Sequence, residues 1–387
     1  MKRLEYMSKA TLPPINWLAA VVLLTTPVIA LIAVPWYGIV HGFGAAHWAV
    51  FVLLVALNGL SITAGYHRLW AHRAYNAHPA LRWLLALFGA AATQNSILVW
   101  ASGHRRHHRH VDDNEHDPYS ARKGFWFSHM GWMLRHYPAG RDDFSNARDL
   151  QNDPVVAFQH RYYIPLALIM NFTPPLLAGL LLGDMLGHFL LGGVLRLVVS
   201  HHVTFFINSL AHMWGRRPYT DTNTARDNGW LALVTYGEGY HNFHHMFQHD
   251  YRNGVRWYQY DPTKWLIYAA SKIGLASDLK RVEPFRIQQA LLDMQFKRAQ
   301  ERLQRAGNAD AWRDHLEREY QQFLSFLQEW NQIRQHWYEQ KLQRLAEKTA
   351  ELQRNWQQTT MNARLKELEY AMRLQRKRLR HMILQLA

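Results

Sequence analysis

Nine of the 24 histidines in this chain fall into four short motifs, and their spacing is typical of metal ligands. In chain order they are His67 and His72 (HRLWAH), His104, His107 and His108 (HRRHH), His212 (NSLAH), and His241, His244 and His245 (HNFHH). Residues three and four apart share a helix face, so the imidazoles within HRRHH, and those within HNFHH, point together. By the same spacing, Asn208 shares a face with His212. His67 and His72 are five apart, which predicts a turn just after residue 66.

The number and type of these ligands favour a pair of metal ions. Neutral imidazole suits iron, copper, zinc and nickel. A single zinc or copper ion would need three or four ligands, whereas nine imidazoles suit two ions with four or five nitrogens each. The chain has no cysteine, so thiolate sites are excluded, and two iron ions are the expected occupants. The other histidines, His110 and His116 among them, are expected to lie outside this ligand set.

Four apolar segments are long enough to cross a membrane, which takes about 20 residues. They are residues 16–36, 47–66, 162–182 and 186–207. The last contains Arg196, whose side chain either reaches a lipid headgroup or faces the interior of the helix bundle. The segment 81–99 is also apolar but contains Arg82, Gln94 and Asn95. We expect it to be an interfacial helix, because a span there would separate His67 from His104.

The distribution of basic residues predicts the orientation of these spans. The linker 37–46 has no Lys or Arg, and the turn between the last two spans has Asp184 as its only charge. The arginine-rich stretch 67–161, with Lys2, Arg3 and Lys9, lies on the other side, which the positive-inside rule places in the cytoplasm. The predicted fold is therefore all-α. Four transmembrane helices hold a cytosolic helical cap, made of residues 67–161 and 208–280, that carries the histidines. Both termini are then cytoplasmic.

The C-terminal part of the chain has a different composition. From about residue 285 apolar residues recur every three or four positions, as in Leu292, Phe296 and Leu303 and again from Leu365 to Met382. This spacing predicts amphipathic helices packed as a hairpin or coiled coil, with breaks near residues 307–310 and 359–360. We expect a membrane domain at 1–284 and a helical tail at 285–387. The tail is either a solvated bundle or an interaction module.

The net charge of +15 limits the partners. Such a balance suits nucleic acid, an anionic membrane surface or an acidic protein. Basic and acidic residues alternate in the tail and no nucleic-acid-binding module is recognisable, so nucleic acid is not an expected partner.

The motifs and their flanking residues resemble the integral-membrane fatty acyl desaturases of the stearoyl-CoA Δ9 type, in a bacterial form. The strings that carry this resemblance are GYHRLWAHR, HDPYSARKGFWFSHMGW, NSLAHMWGRRPY, GEGYHNFHH and DYRNGVRWYQYDPTKW. It covers residues 16–276 and not the tail. The resemblance implies a non-haem di-iron centre. One iron would take His67, His72, His104, His108 and His244. The other would take His107, His212, His241 and His245, with Asn208 holding a bound water.

The activity that the resemblance implies is O2-dependent introduction of a cis double bond, at Δ9, into a saturated acyl chain carried as acyl-CoA. The bilayer would be the inner membrane of a bacterium. No haem module is recognisable and cysteine is absent, so a separate ferredoxin-type or flavoprotein donor is expected to supply electrons. The alternatives are a phospholipid-linked or carrier-protein substrate, a di-iron fatty acyl or alkane hydroxylase, and a metal-sensing membrane protein.

The acyl carrier is where this chain departs from the family pattern. Animal acyl-CoA desaturases have an Arg-Asp pair directly before the second motif, and here Ser102-Gly103 stands there. Phosphates of CoA are normally held by Arg or Lys. The basic residues that remain as candidates for the head group are Arg122, Lys123, Arg135, Arg216 and Arg217.

Overall fold

The computed structural model describes residues 12–305 and 310–356, and this part of the chain is almost wholly helical. Apart from short 3-10 turns, its helices are α1 (Trp17–Val40), α2 (Ala45–Ala71), α3 (Pro79–Ala90), α4 (Ile97–His110), α5 (Phe125–His129), α6 (Arg148–Gln151), α7 (Pro154–Arg161), α8 (Tyr163–Leu182), α9 (Met185–Met213), α10 (Gly229–Val234), α11 (His241–Met246), α12 (Pro262–Lys272), α13 (Pro284–Arg305) and α14 (Asp310–Trp356). The all-α prediction is confirmed.

Four of these helices are long and apolar enough to cross a membrane, namely α1, α2, α8 and α9. They coincide with the four predicted spans to within a few residues at most of their ends. Large apolar side chains on them point outward; Leu31, Ile39 and Leu181 are each at least 73% exposed. Such a surface is favourable against lipid and costly against water, so the chain is a membrane protein.

Arg196 lies in the interior of this bundle, which decides between the two placements that the sequence left open. Its side chain is 2% exposed. The guanidinium donates to the carbonyl oxygens of Gly192 and Ala91 at 3.0 and 2.8 Å and to Asn171 Oδ1 at 2.8 Å. A buried cation inside a membrane bundle needs such acceptors, and here they come from three helices or their ends.

The segment 81–99 does not cross the bundle, as predicted, but it is not the single helix that its composition indicated. α3 has 12 residues, and residues 91–96 then interrupt the helical path, with φ +52° at Thr93 and +76° at Asn95. Ser96 starts α4 anew, its Oγ accepting from the amide of Val99 at 3.4 Å. The break turns the chain so that α4 runs beside the end of α2.

A compact core joins the cap to the ends of the spans. Buried apolar side chains from the end of α2, from α3, α4, α7 and α12 form one cluster, with Tyr66, Leu85, Ile97, Val156 and Ile267 among its members. A short antiparallel ladder pairs β1 (Asn76–Ala77) with β2 (Ala276–Ser277). The ladder connects the chain after α2 to the chain after α12, and so fixes the first and last parts of the cap together.

The described part of the tail beyond Met294 forms its own unit. Among the described residues, contacts group those up to Met294 with the membrane domain and those between Gln295 and Trp356 with each other. Within this second unit the ring of Phe296 on α13 lies 5.1 Å from that of Tyr320 and 5.7 Å from that of Phe323 on α14. The division at 284/285 stays a prediction, and Pro284 is the first residue of α13.

Some sequence predictions fall outside the described residues. These are the basic residues Lys2, Arg3 and Lys9, the breaks at 307–309 and 359–360, and the apolar run from Leu365 to Met382.

Candidate metal centre

The end of α2 brings the first two histidines together by an unusual helical geometry. Residues Ser61–Ala71 are π-helical, and the amide of His72 donates to the carbonyl oxygen of His67 at 3.0 Å. Hydrogen bonds of this kind join residues five apart, so His67 and His72 share a face with ring centroids 4.7 Å apart. The turn predicted between them is wrong, because a wider helix meets the same requirement without leaving the helical path.

α4 presents its three histidines on one side and its arginines on the other. The guanidinium of Arg105 donates to the carbonyl oxygens of Trp70 and Ala71 and forms an ion pair with Asp149 at 2.7 Å. These contacts attach α4 to the end of α2. As a result His104 Nε2 lies 2.8 Å from His72 Nε2.

The fourth motif, HNFHH, follows two glycines that flank Glu238. Gly237 has φ +96°, and a Cβ there would lie 2.6 Å from the side chain of Asp261. A Cβ at Gly239 would lie 2.3 Å from the amide nitrogen of Ala232. Both positions therefore exclude a side chain, which lets the segment pass close to α10 and places Glu238 under the histidines.

α11 is a short helix that depends on a distant carboxyl for its first turn. Asp227 Oδ1 accepts from the amides of Asn242 and Phe243 at 2.8 and 3.1 Å. These are two of the amides that a helix leaves without internal partners. Burial raises the pKa of Asp227 to about 7, although both amide hydrogen bonds oppose the rise. The bonds hold His241, His244 and His245 in position from the far side of the helix.

The four segments gather all nine predicted histidines into two adjacent groups, in each of which the candidate ligand atoms lie within 4.8 Å of one another. The first group is His67, His72, His104, His108 and His244, and the second is His107, His212, His241 and His245. α4 and α11 each contribute to both groups. The two groups are therefore neighbours across the same pair of helices.

The distances between ring nitrogens fit a metal ion better than they fit hydrogen bonds. Nε2 of His244 lies 3.0 Å from Nε2 of both His67 and His108, and Nε2 of His241 lies 3.1 Å from Nε2 of both His212 and His245. One nitrogen cannot donate its single proton to two others. A metal–nitrogen bond of about 2.1 Å separates neighbouring ligand atoms by about 3.0 Å at a right angle and about 3.4 Å at a tetrahedral angle. The observed spacing fits ligands at right angles.

Acceptors on the outer side of the rings direct the Nε2 lone pairs inward. His67 Nδ1 lies 3.0 Å from Glu238 Oε2, and His107 Nδ1 lies 2.9 Å from Asp117 Oδ1. The contact of His107 with Asp117 is a hydrogen bond. A carboxylate can only accept, so His107 Nδ1 carries the proton and its Nε2 is free to bind a metal.

The ring of His212 is oriented by a two-step hydrogen-bond chain. Its Nδ1 lies 2.9 Å from Thr224 Oγ1, and that hydroxyl donates to Asp112 Oδ1 at 2.6 Å. Because the hydroxyl's proton is used toward Asp112, Thr224 accepts from the ring, which again leaves Nε2 as the ligand atom.

A buried ion-pair network lies beneath the first group. Arg68 Nη2 lies 2.9 Å from Glu238 Oε1 and 3.0 Å from Asp261 Oδ1, and Asn253 Nδ2 donates to Glu238 Oε2 at 2.6 Å. Burial opposes ionisation of Glu238, but its interactions with His67 and Arg68 outweigh burial and lower the pKa of Glu238 to about 2. The network connects α2, the glycine pair and the start of α12.

Burial favours the neutral form of seven of the nine clustered imidazoles, whose pKa it lowers. It lowers the pKa of His72, His104, His108 and His244 well below the ordinary value, and the neighbouring imidazoles lower each further. Burial likewise lowers the pKa of His241 to about 3. The rings therefore keep their lone pairs at neutral pH, as metal ligands must.

Sequence reasoning missed these supporting residues. Glu238, Asp117 and Thr224 were not proposed for any role, although Glu238 and Asp117 lie inside the strings that carry the family resemblance. The sequence features that could have indicated them are the position of Glu238 between two glycines and the position of Asp117 within HDPYS. No sequence feature indicated Thr224, because its contact with His212 forms only when the loop between them folds.

Asn208 is less simply placed than its spacing suggested. The regular part of α9 ends at Asn208, Ser209 interrupts it, and His212 lies in a separate last turn, Leu210–Met213. The continuous helix face assumed from the spacing is absent at this point. The role of Asn208 in holding a water stays a prediction.

The five head-group candidates differ in how free their side chains are. Arg135 donates to the carbonyl oxygen of Pro13 at 2.7 Å, and Arg217 lies 3.4 Å from the carbonyl oxygens of Asp221 and Asn223. Arg122, Lys123 and Arg216 are exposed. Lys123 Nζ lies over the ring of Phe127, 4.8 Å from its centroid.

Comparison with known proteins assigns the class. The sequence profile of the fatty acid desaturase family matches residues 45–276. A "Probable acyl-CoA desaturase" of Schizosaccharomyces pombe is 46% identical over 285 residues, which are 73% of this chain and 58% of that protein. Acyl-CoA desaturase 1 of Saccharomyces cerevisiae is 45% identical over 288 residues, 73% of this chain and 55% of that protein. The chain belongs to the fatty acid desaturase family.

The relatives differ in length and in the carrier that their names specify. The chain spans just over half of the two fungal proteins. The sn-2 palmitoyl-lipid 9-desaturase of a Nostoc species is 36% identical over 284 residues, 70% of this chain and 93% of that protein.

We expect Asp117→Asn to weaken metal binding by the second group alone. The amide keeps the size of the carboxyl but removes the charge that supports His107, and such changes cost about 10–100-fold in metal affinity. The measurement is metal content of the purified chain during dialysis against a graded chelator. Asp142→Asn, at an exposed carboxyl, is the matched control. Equal metal retention in the two variants would contradict the role given to Asp117.

Proposed function

We propose that the two histidine groups hold a pair of iron ions and that the chain is an O2-dependent fatty acyl desaturase. The observation that carries the proposal is the division of nine imidazoles into adjacent groups of five and four. A zinc site is normally tetrahedral and closed by four ligands. Five nitrogens in one group, spaced as for right angles, favour iron instead.

The reaction is the removal of two hydrogen atoms from adjacent carbons of a saturated acyl chain. An alkyl chain has no acidic proton, so acid–base groups cannot carry out this step, and bound iron with O2 supplies the oxidising power. The balance is one acyl chain, one O2, two electrons and two protons giving one alkene and two waters. The protein's own residues hold the ligands, exclude solvent and fix which carbons come near.

The burial of the histidines supports the role of the protein in excluding solvent from the centre. Seven of the nine histidines are at most 7% exposed: His67, His72, His104, His107, His212, His241 and His244. A reactive oxidant is safer in such a place, because water and other side chains are kept from it.

Acyl-CoA is our first proposal for the substrate, on the names of the fungal relatives. Ser102-Gly103 stands where animal acyl-CoA desaturases have an Arg-Asp pair, so the head group must be contacted by other residues in this chain. Ser102 points inward, its Oγ donating to the carbonyl oxygen of Asp143 at 2.6 Å, and nothing lies within 4 Å of a Cβ built at Gly103. Other basic residues must then meet the phosphates, and exposed Arg122, Lys123 and Arg216 are available. The alternative substrate is an acyl chain linked to a lipid, as the name of the Nostoc relative specifies, and the assay with two carriers described below distinguishes it from acyl-CoA.

Electrons come from a separate donor in this proposal, of the ferredoxin or flavoprotein type. The chain has no cysteine for an iron–sulfur cluster, and its net charge is +15. A basic surface attracts an acidic donor and speeds its encounter. We place the cap and both termini in the cytoplasm, with the spans in the inner membrane of a bacterium.

Product analysis tests the activity. Expressed in a host that cannot make unsaturated fatty acids, the chain should yield a cis-monounsaturated acid, with the bond at Δ9. His245→Ala, which removes one ligand of the second group, should yield none. Isolated membranes given reductant and stearoyl-CoA, or phospholipid with stearoyl chains, then identify the carrier. A hydroxylated product, or no product with either carrier, would refute the desaturase assignment.

The orientation is tested by single cysteines, since the natural chain has none. Ala46→Cys, in the exposed first turn of α2 that follows the linker from α1, should react with a membrane-impermeant maleimide added to intact spheroplasts. Asp142→Cys, in the cap, should react only after the membrane is opened. The reverse labelling pattern would overturn the orientation.

A further inference from the structure

A third cluster of metal-binding side chains lies outside the nine histidines, where α4 ends. His110, Asp113 and His116 each offer a ligand atom, and these atoms lie within 4.8 Å of one another. His116 Nδ1 lies 2.9 Å from Asp113 Oδ2, and the rings of His110 and His116 are 5.3 Å apart. All three side chains are at least partly exposed.

The loop that carries them is held in shape by its own backbone. Asp113 Oδ1 accepts from the amides of Glu115 and His116 at 2.8 and 3.2 Å, and the amide of Asp113 donates to the carbonyl oxygen of His110 at 2.9 Å. The second oxygen of Asp113 is thereby turned toward His116. Two imidazoles and a carboxylate are therefore presented together by a fixed loop, and this reduces the ordering that a bound ion would require.

The cluster faces open space. A surface cavity of about 550 Å³ has both histidines of the cluster in its wall. The charged residues that also line it are Arg106, Arg109, Arg141, Glu115 and Asp143. With Asp113, three carboxylates balance three arginines, so the surroundings do not repel a cation. Three protein ligands with an open side form the arrangement in which zinc keeps a position for water or an exogenous ligand.

We propose that His110, Asp113 and His116 form a third metal site, at the surface, for a borderline divalent ion such as Zn2+. Imidazole nitrogen and carboxylate oxygen are the donors that such ions accept. The inference does not depend on the proposed desaturase activity, because none of its ligands belongs to the nine histidines of the two buried groups.

An ion at this site would brace the loop that supports the second buried group. Asp117 in this loop accepts from His107, and Asp112 accepts from Thr224, which orients His212. Asp117 Oδ2 also accepts from the amide of Asp112 at 3.1 Å. The surface cluster and the supports of two buried histidines thus occupy the same eight residues, 110–117.

The test is a Zn2+ titration of the purified full-length chain with its iron in place, against a chromogenic zinc chelator. Asp113→Asn should weaken zinc binding by about tenfold or more, since it removes the charged ligand yet keeps an oxygen for the two amide hydrogen bonds. His116→Ala, which leaves Asp113 and its backbone contacts unchanged, should give the same loss. Glu115→Gln removes one charge from the same loop and should bind zinc as the natural chain does.

Iron content and melting temperature, measured on the same samples, report whether each variant is folded. Loss of zinc binding in Asp113→Asn and His116→Ala, but not in Glu115→Gln, supports the site. Zinc binding that is equal in all four proteins overturns it, as does an equal loss in Glu115→Gln.

Discussion

Convergence of buried imidazole lone pairs is the constraint on which the rest of this structure depends. Ring nitrogens of five and of four histidines face one another at close range, and the Nδ1 atoms of His107 and His212 form hydrogen bonds on the outer side. Without a cation such an arrangement leaves lone pairs opposed in a region that water does not reach, which is costly. With a cation in each group the same geometry becomes a coordination shell. In the proposed assignment, metal binding and the folding of the cap would therefore be coupled.

The surrounding structure serves this convergence. The π-helical end of α2 aligns two histidines that are five apart, and Asp227 supports the short α11 from outside. The Arg68–Glu238–Asp261 network links segments nearly 200 residues apart in sequence and stays charged because each member has a partner. A buried charge that loses its partner is strongly destabilising. This explains why the glycine pair around Glu238 and the loop before α12 accompany the histidine motifs in the sequence.

Much of this could be predicted from the sequence. The four spans follow from apolar length alone, and the helical spacing of HRRHH and HNFHH correctly places three imidazoles on one face in each. Prediction failed where backbone geometry departs from the ordinary helix. No local sequence pattern predicted the π-helical stretch Ser61–Ala71, the break in the helical path at residues 91–96 or the interruption of α9 at Ser209. The supports of the rings also escaped, because Thr224 and Asp227 reach their targets only through tertiary contacts.

The most direct test of this account is the metal content of the purified full-length chain, measured by mass spectrometry alongside its Mössbauer spectrum after growth on 57Fe. The account predicts two irons per chain in nitrogen-rich, non-haem sites that are magnetically coupled to each other. A single metal per chain, or zinc in both groups with no iron after growth with ample iron, would contradict it.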